Sequence, residues 1–173
     1  MRLAVLLLFI SGNVWAAPPS DADSLALARS WLGTLKSGKL ADVQAHLGRP
    51  LSLGLVNASG RPCDKWDDAG KFAEIADADR EAAADCLVLN VQPRPDNEKL
   101  AVKPWKKLAS RLPRAARKQI EPAAKELTFV TIESKPTSAD PWQVVVIAGI
   151  SAGDKPAVTW VWLRVIEPSM DGE

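Results

Sequence analysis

The sequence predicts an α+β fold: a curved antiparallel sheet with N-terminal helices packed on it and a helical insertion before a C-terminal three-strand meander. Three observations predict it. Residues 142–150 and 157–166 are runs of β-branched and aromatic residues on either side of the polar loop 151–156, which reads as an antiparallel hairpin. In the first run both alternating sets are largely apolar, Trp142, Val144, Val146, Ala148 and Ile150 against Val145 and Ile147. Such a strand is covered on both faces and lies inside a sheet. Leu25, Ala28, Trp31, Leu32 and Leu35 fall on one stripe at helical spacing near the start of the chain.

In chain order, residues 1–16 read as a secretory signal peptide. Arg2 gives the positive start, residues 3–10 the apolar run, and Val14-Trp15-Ala16 the small-residue cleavage pattern. Residues 17–173 then form a single α+β domain, which the length of 173 residues allows. A first helix spans 21–36, capped by Ser20 or Asp21 and ended by Ser37-Gly38. A second helix spans 39–47, with Gly48 after its end. Leu51, Leu53 and Leu55 alternate as a first strand after Pro50. The acidic, alanine-rich stretch 69–84 predicts a helix running into Cys86, and Leu87, Leu89 and Val91 predict a strand. Residues 99–125 are strongly basic and broken by Pro104, Pro113 and Pro122, so short helices are expected there, with Trp105, Leu108 and Leu112 as a stripe. A strand at 127–134 and a turn at 135–141 lead into the hairpin. An interior strand at 142–150 needs two covers. The N-terminal helices supply one; the other is the 99–125 insertion, the curl of the sheet, or a second chain, so a monomer or a homodimer through a sheet face is expected.

The opening ALARSWLGTLKSGKLADVQAHLGRPLSL, two short helices split by Ser37-Gly38 and then a strand, together with this order of elements, resembles the NTF2-like (cystatin-like) superfamily over nearly all of the chain after residue 16. The resemblance implies a cone in which a curved sheet wraps helices around a pocket. It also implies either a binding or accessory domain or, less commonly in that family, an isomerase or dehydratase.

Composition is that of an ordinary globular protein, 25% charged and 47% apolar, and the formal net charge is +1. Global charge therefore recommends neither nucleic acid nor a membrane surface as partner. Cys63 and Cys86, the two cysteines of a chain read as exported, whether periplasmic or secreted, are expected to form one disulfide rather than a redox pair. One histidine and no Cys/His cluster leave no metal site, and no phosphate-cradling glycine loop or other cofactor motif occurs.

Three groups of residues are candidates for function. Trp160, Trp162 and Arg164 share one face of the last strand and can line a pocket for an aromatic or anionic ligand, with Trp31 as a further aromatic; the alternative is that the tryptophans are core. Asp42 and His46, four apart on one helix, are the candidate catalytic pair, weighed against an ordinary surface pair at a helix C-terminus. Lys103, Lys106, Lys107, Arg111, Arg114, Arg117 and Lys118 can bind a polyanion, weighed against a solvated basic face. The leading expectation is a non-catalytic exported binding or accessory protein for a protein or a small apolar ligand. A pocket isomerase or lyase and a polyanion binder stand as alternatives.

Overall fold

The computed structural model describes residues 17–67, 70–92 and 97–168; the expected signal peptide at 1–16 lies outside them. Helix α1 (Asp21–Ser37) starts where the Ser20 hydroxyl accepts the Asp23 N–H at 3.1 Å. It stops at Gly38, whose φ of 72° places it in the left-handed region that ends helices. Helix α2 (Leu40–His46) runs straight into β1 (Leu47–Val56), which contains a cis Arg49–Pro50 bond. There follow β2 (Ala73–Glu74), α3 (Arg80–Val91), β3 (Lys99–Val102), α4 (Trp105–Leu108), α5 (Arg114–Ile120), β4 (Leu127–Glu133), β5 (Gln143–Ser151) and β6 (Ala157–Ile166).

The strands form one curved sheet in the order β2-β1-β6-β5-β4-β3. β4, β5 and β6 are the expected meander, and β5 is interior. The sheet is mixed rather than wholly antiparallel, because β1 and β6 pair in parallel. A parallel neighbour requires a long crossover, and all the chain between the first strand and the last supplies it. Where Ile150 pairs with Val158 and Gly149 with Trp160, β6 carries one extra residue, Thr159. This bulge turns Val158 as well as Val161 toward the helices.

Further expectations are corrected. The helix expected over 69–84 begins only at Arg80, and 87–91 are not a strand. Ala73–Glu74 is a short edge strand, Asp77–Asp79 is a 3-10 turn, and the helix is Arg80–Val91. Leu87 and Val91 are four apart, and with Ala83, Ala84 and Val88 they make a buried helical stripe, whereas Leu89 points outward at 44% exposure. Cys63 and Cys86 are bonded, with Cα atoms 5.1 Å apart, so the bridge ties the turn after β1 to the middle of α3 rather than to the start of a strand. The basic stretch 99–125 is not wholly helical either. Lys99–Val102 pairs with β4 as the edge strand β3, and the helical part starts after Pro104.

The two sheet faces have different covers. On one face α1, α2 and α3 bury Trp31, Leu35, Val43 and Leu87 against Leu51, Leu53 and Leu55 of β1, Val144, Val146 and Ala148 of β5, and Val161 and Leu163 of β6. Arg80 is buried beside this core and donates to the Leu47 and Gly48 carbonyls at 2.7 and 3.0 Å. Burial lowers its pKa, Arg49 lowers it further, and Asp77 acts in the opposite sense. On the second face Leu108, Leu112, Ala116 and Ile120 from the insertion pack on Phe129, Ile147 and Trp162. Of the three covers considered for this face, the insertion is the one present.

Candidate functional site

The site grows out of the pairing register. Arg164 on β6 lies opposite Val145 on β5, and Val145 lies opposite Glu133 on β4. One step along, Trp162 is opposite Ile147, which is opposite Thr131; at the strand end Ile166 is opposite Gln143. All these side chains face the insertion, because alternate residues of a strand share a face. The insertion reaches Ile147 and Trp162 but stops short of the last rows. There a groove of about 370 Å³ remains, lined by Ser110, Arg111, Glu133, Gln143, Val145, Ile147, Trp162, Arg164 and Ile166. A second hollow of about 320 Å³ shares Arg111, Trp162 and Arg164 and extends to Val56, Leu112 and Pro113.

The floor is fixed by packing. Trp162 is 2% exposed and lies over Gly54, where a Cβ would come within 2.3 Å of indole Cε3. Phe72 meets Trp160 and Trp162 edge-on, with centroids 4.9 and 5.3 Å away. Phe72 is held in turn by Gln119 of α5, which accepts its N–H at 2.8 Å and donates to its carbonyl at 3.0 Å. On one wall the Arg111 guanidinium donates to the Glu133 carboxylate. On the other stands Arg164, exposed, with no hydrogen bond or ion pair among the described residues.

Trp162 and Arg164 therefore line one groove. Trp160 shares their face but packs beside Phe72 rather than lining the groove. Trp31 is not with them: it is fully buried on the opposite sheet face, among the residues under α1. Its helical stripe makes it core, and the sheet separates it from the groove.

His46 and Asp42 do not form a side-chain pair. His46 Nδ1 lies 2.8 Å from the Asp42 backbone carbonyl and Nε2 lies 2.9 Å from the Ser30 hydroxyl. An imidazole that donates from Nδ1 to a carbonyl and accepts at Nε2 from a hydroxyl has both ring nitrogens engaged, on an exposed join between α1 and α2. Of the basic residues, Lys106, Lys107, Arg111, Arg114 and Lys118 are exposed, and Arg111 is the one spent on an acidic partner in the groove. Among the described residues no group of three or more His, Cys, Asp or Glu is placed to hold a metal, and no helix is long and apolar enough to cross a membrane.

Sequence reasoning missed Arg111, Glu133, Gln143, Val145, Ile147 and Ile166 as groove residues. Glu133, Val145 and Arg164 could have been aligned by extending the hairpin alternation across the turn at 135–141. Arg111 depends on the path of the insertion, which three prolines make hard to trace. The helix-covered face offers no comparable space at its Glu98 end, where the cavity between Val91, Glu98, Ile132, Ser134, Val144 and Val146 is about 10 Å³, room for at most one water. A depression of about 520 Å³ beside Trp142 is lined by Asn57, Ala58, Ser59, Val165 and Glu167. Of its polar groups, Asn57 donates to the Val165 carbonyl and the Ser59 N–H donates to Asn90, while Glu167 is exposed.

No family model matches the chain, and no curated protein matches it. Solved structures do. A protein with a cystatin-like fold from Nostoc punctiforme shares 7% identity at a TM-score of 0.44, covering 90% of this chain and 98% of its own. An NTF2-like protein from Burkholderia xenovorans shares 8% identity at 0.41, over 85% and 92%. A ketosteroid isomerase-like protein from Erwinia carotovora atroseptica shares 13% identity at 0.41, over 86% and 97%. The chain resembles NTF2-like proteins. At these identities no residue role is carried over, and the groove stands on its own geometry.

Proposed function

We propose that this protein is a non-catalytic binding domain whose site is the groove between Arg111 and Arg164 on the insertion side of the sheet. One observation carries the reading: an exposed Arg164 side chain, without a hydrogen bond or ion pair among the described residues, beside an apolar floor of Val145, Ile147 and Trp162, in a space of about 370 Å³. That combination of apolar floor and few polar groups is what small-ligand sites present. Export is part of the proposal, supported by the signal-peptide pattern of residues 1–16 and by the Cys63–Cys86 bond.

The isomerase or lyase alternative has less support, because both ring nitrogens of His46 are bonded and the Asp42 carboxylate is not its partner. A fragment library screened by amide chemical-shift mapping tests the proposal. Shifts are expected to gather on residues 143–147 and 162–166. Shifts gathered on Ser30, Asp42 and His46 would instead favour the pocket-enzyme reading, and fragments that shift neither group would leave the groove without a binding role.

A further inference from the structure

We infer that the groove selects an amphipathic monocarboxylate, with the carboxylate on Arg164 and an apolar body along the half-buried Val145 and Ile166, over a floor of buried Ile147 and Trp162. This rests on the groove being the binding site, and it specifies the ligand class. Three ionised groups line the space: Arg111, Glu133 and Arg164. Arg111 and Glu133 hold each other on one wall, which leaves Arg164 as the unsatisfied charge. The lining therefore carries a formal charge of +1, which one negative charge neutralises.

A planar guanidinium fork matches a carboxylate bidentately, through two parallel N–H···O bonds. A dianionic phosphate would place its second charge toward the Glu133 carboxylate, or would have to draw Arg111 away from it. The side chains next to Arg164 across the strands are Val145 and, one step on, Ile147, so the surface leading away from the fork is apolar. Gln143 and Ser110 are the neutral polar groups at the margins. A neutral apolar ligand would gain the floor but leave Arg164 unused. A sugar or peptide backbone would find few donors or acceptors along the floor.

The test uses the whole mature chain and three probes of one shape, 2-naphthoate, 2-naphthamide and 2-naphthyl phosphate. Binding is followed at the Val145 and Arg164 amides and the Trp162 indole N–H. Naphthoate is expected to bind about ten-fold more tightly than naphthamide, the scale of one charge-assisted bidentate contact near a surface. In Arg164→Gln, at an exposed position, the two affinities are expected to converge to within about two-fold. Equal binding of naphthoate and naphthamide in the unaltered protein, or an undiminished preference in Arg164→Gln, overturns the inference while leaving the groove a binding site. Tighter binding of the phosphate ester overturns it in favour of a dianion. If no probe moves the groove resonances, the inference and the proposed site fall together.

Discussion

Gly54 shows how a single residue shapes the groove. Its missing side chain lets the Trp162 indole lie flat on β1, and a methyl there would sit 2.3 Å from Cε3 and 2.5 Å from Cζ3. The ring cannot move aside cheaply, since Phe72 closes on it edge-to-face and the Lys71 carbonyl lies 3.2 Å from the same point. Gly54→Ala is therefore predicted to destabilise by about 1–3 kcal/mol through overpacking. The Trp162 indole resonance should move as well. A denaturant melt with the same midpoint as the unaltered protein would show that the indole does not rest there. The sequence discloses Gly54 only as a strand glycine between leucines. That it matches a tryptophan depends on β1 pairing in parallel with β6, which no local pattern announces.

At the scale of elements, α3 is where local reading failed. Leu87, Leu89 and Val91 alternate, but Leu87 and Val91 are also four apart, and a five-residue stretch with four apolar residues fits either period. The ambiguity is resolved by the neighbours: Val88 and Asn90 are buried while Leu89 is exposed. Asn90 reaches back to the turn after β1, donating to the Ser59 and Cys86 carbonyls and accepting the Ser59 N–H. It works beside the disulfide, which joins positions 23 apart in sequence. Closing a loop of that size is worth roughly 3 kcal/mol by chain entropy. The double variant Cys63→Ala, Cys86→Ala is predicted to lose about that much in a denaturant melt. The bridge lies on the helix-covered side of the sheet, so the groove resonances of Val145 and Trp162 should keep their positions. Loss of groove binding in a variant that is still folded would show that the two are coupled. By contrast α1 and its Gly38 stop are legible from a long amphipathic stripe with end signals, and the structure selects Ser20 from the two cap residues, Ser20 and Asp21, that the sequence offers.

For the molecule as a whole, the hairpin alternation carried most of what could be read in advance. It made β5 interior, demanded two covers, and put Trp162 and Arg164 together. What it could not give was where the second cover stops, and the groove is that unfinished margin. Trp31 lies away from the groove, which the sequence does not disclose for a related reason: an aromatic on a helical stripe carries no mark of which sheet face it meets. One sheet face is solid core, while the other carries an open groove at its end. Adjacent residues of β5 report on it directly, since Val146 is 2% exposed under the helices while Val145 lines the groove between Arg164 and Glu133. The most direct measurement is a pair of thermal melts, Val146→Asp against Val145→Asp. Val146→Asp should unfold the protein or cost more than about 4 kcal/mol, the penalty of an unpaired buried carboxylate. Val145→Asp, beside Arg164, should stay within about 1 kcal/mol of the unaltered protein. Equal destabilisation by both, or a Val146→Asp variant that melts unchanged, would contradict the assignment of the two faces.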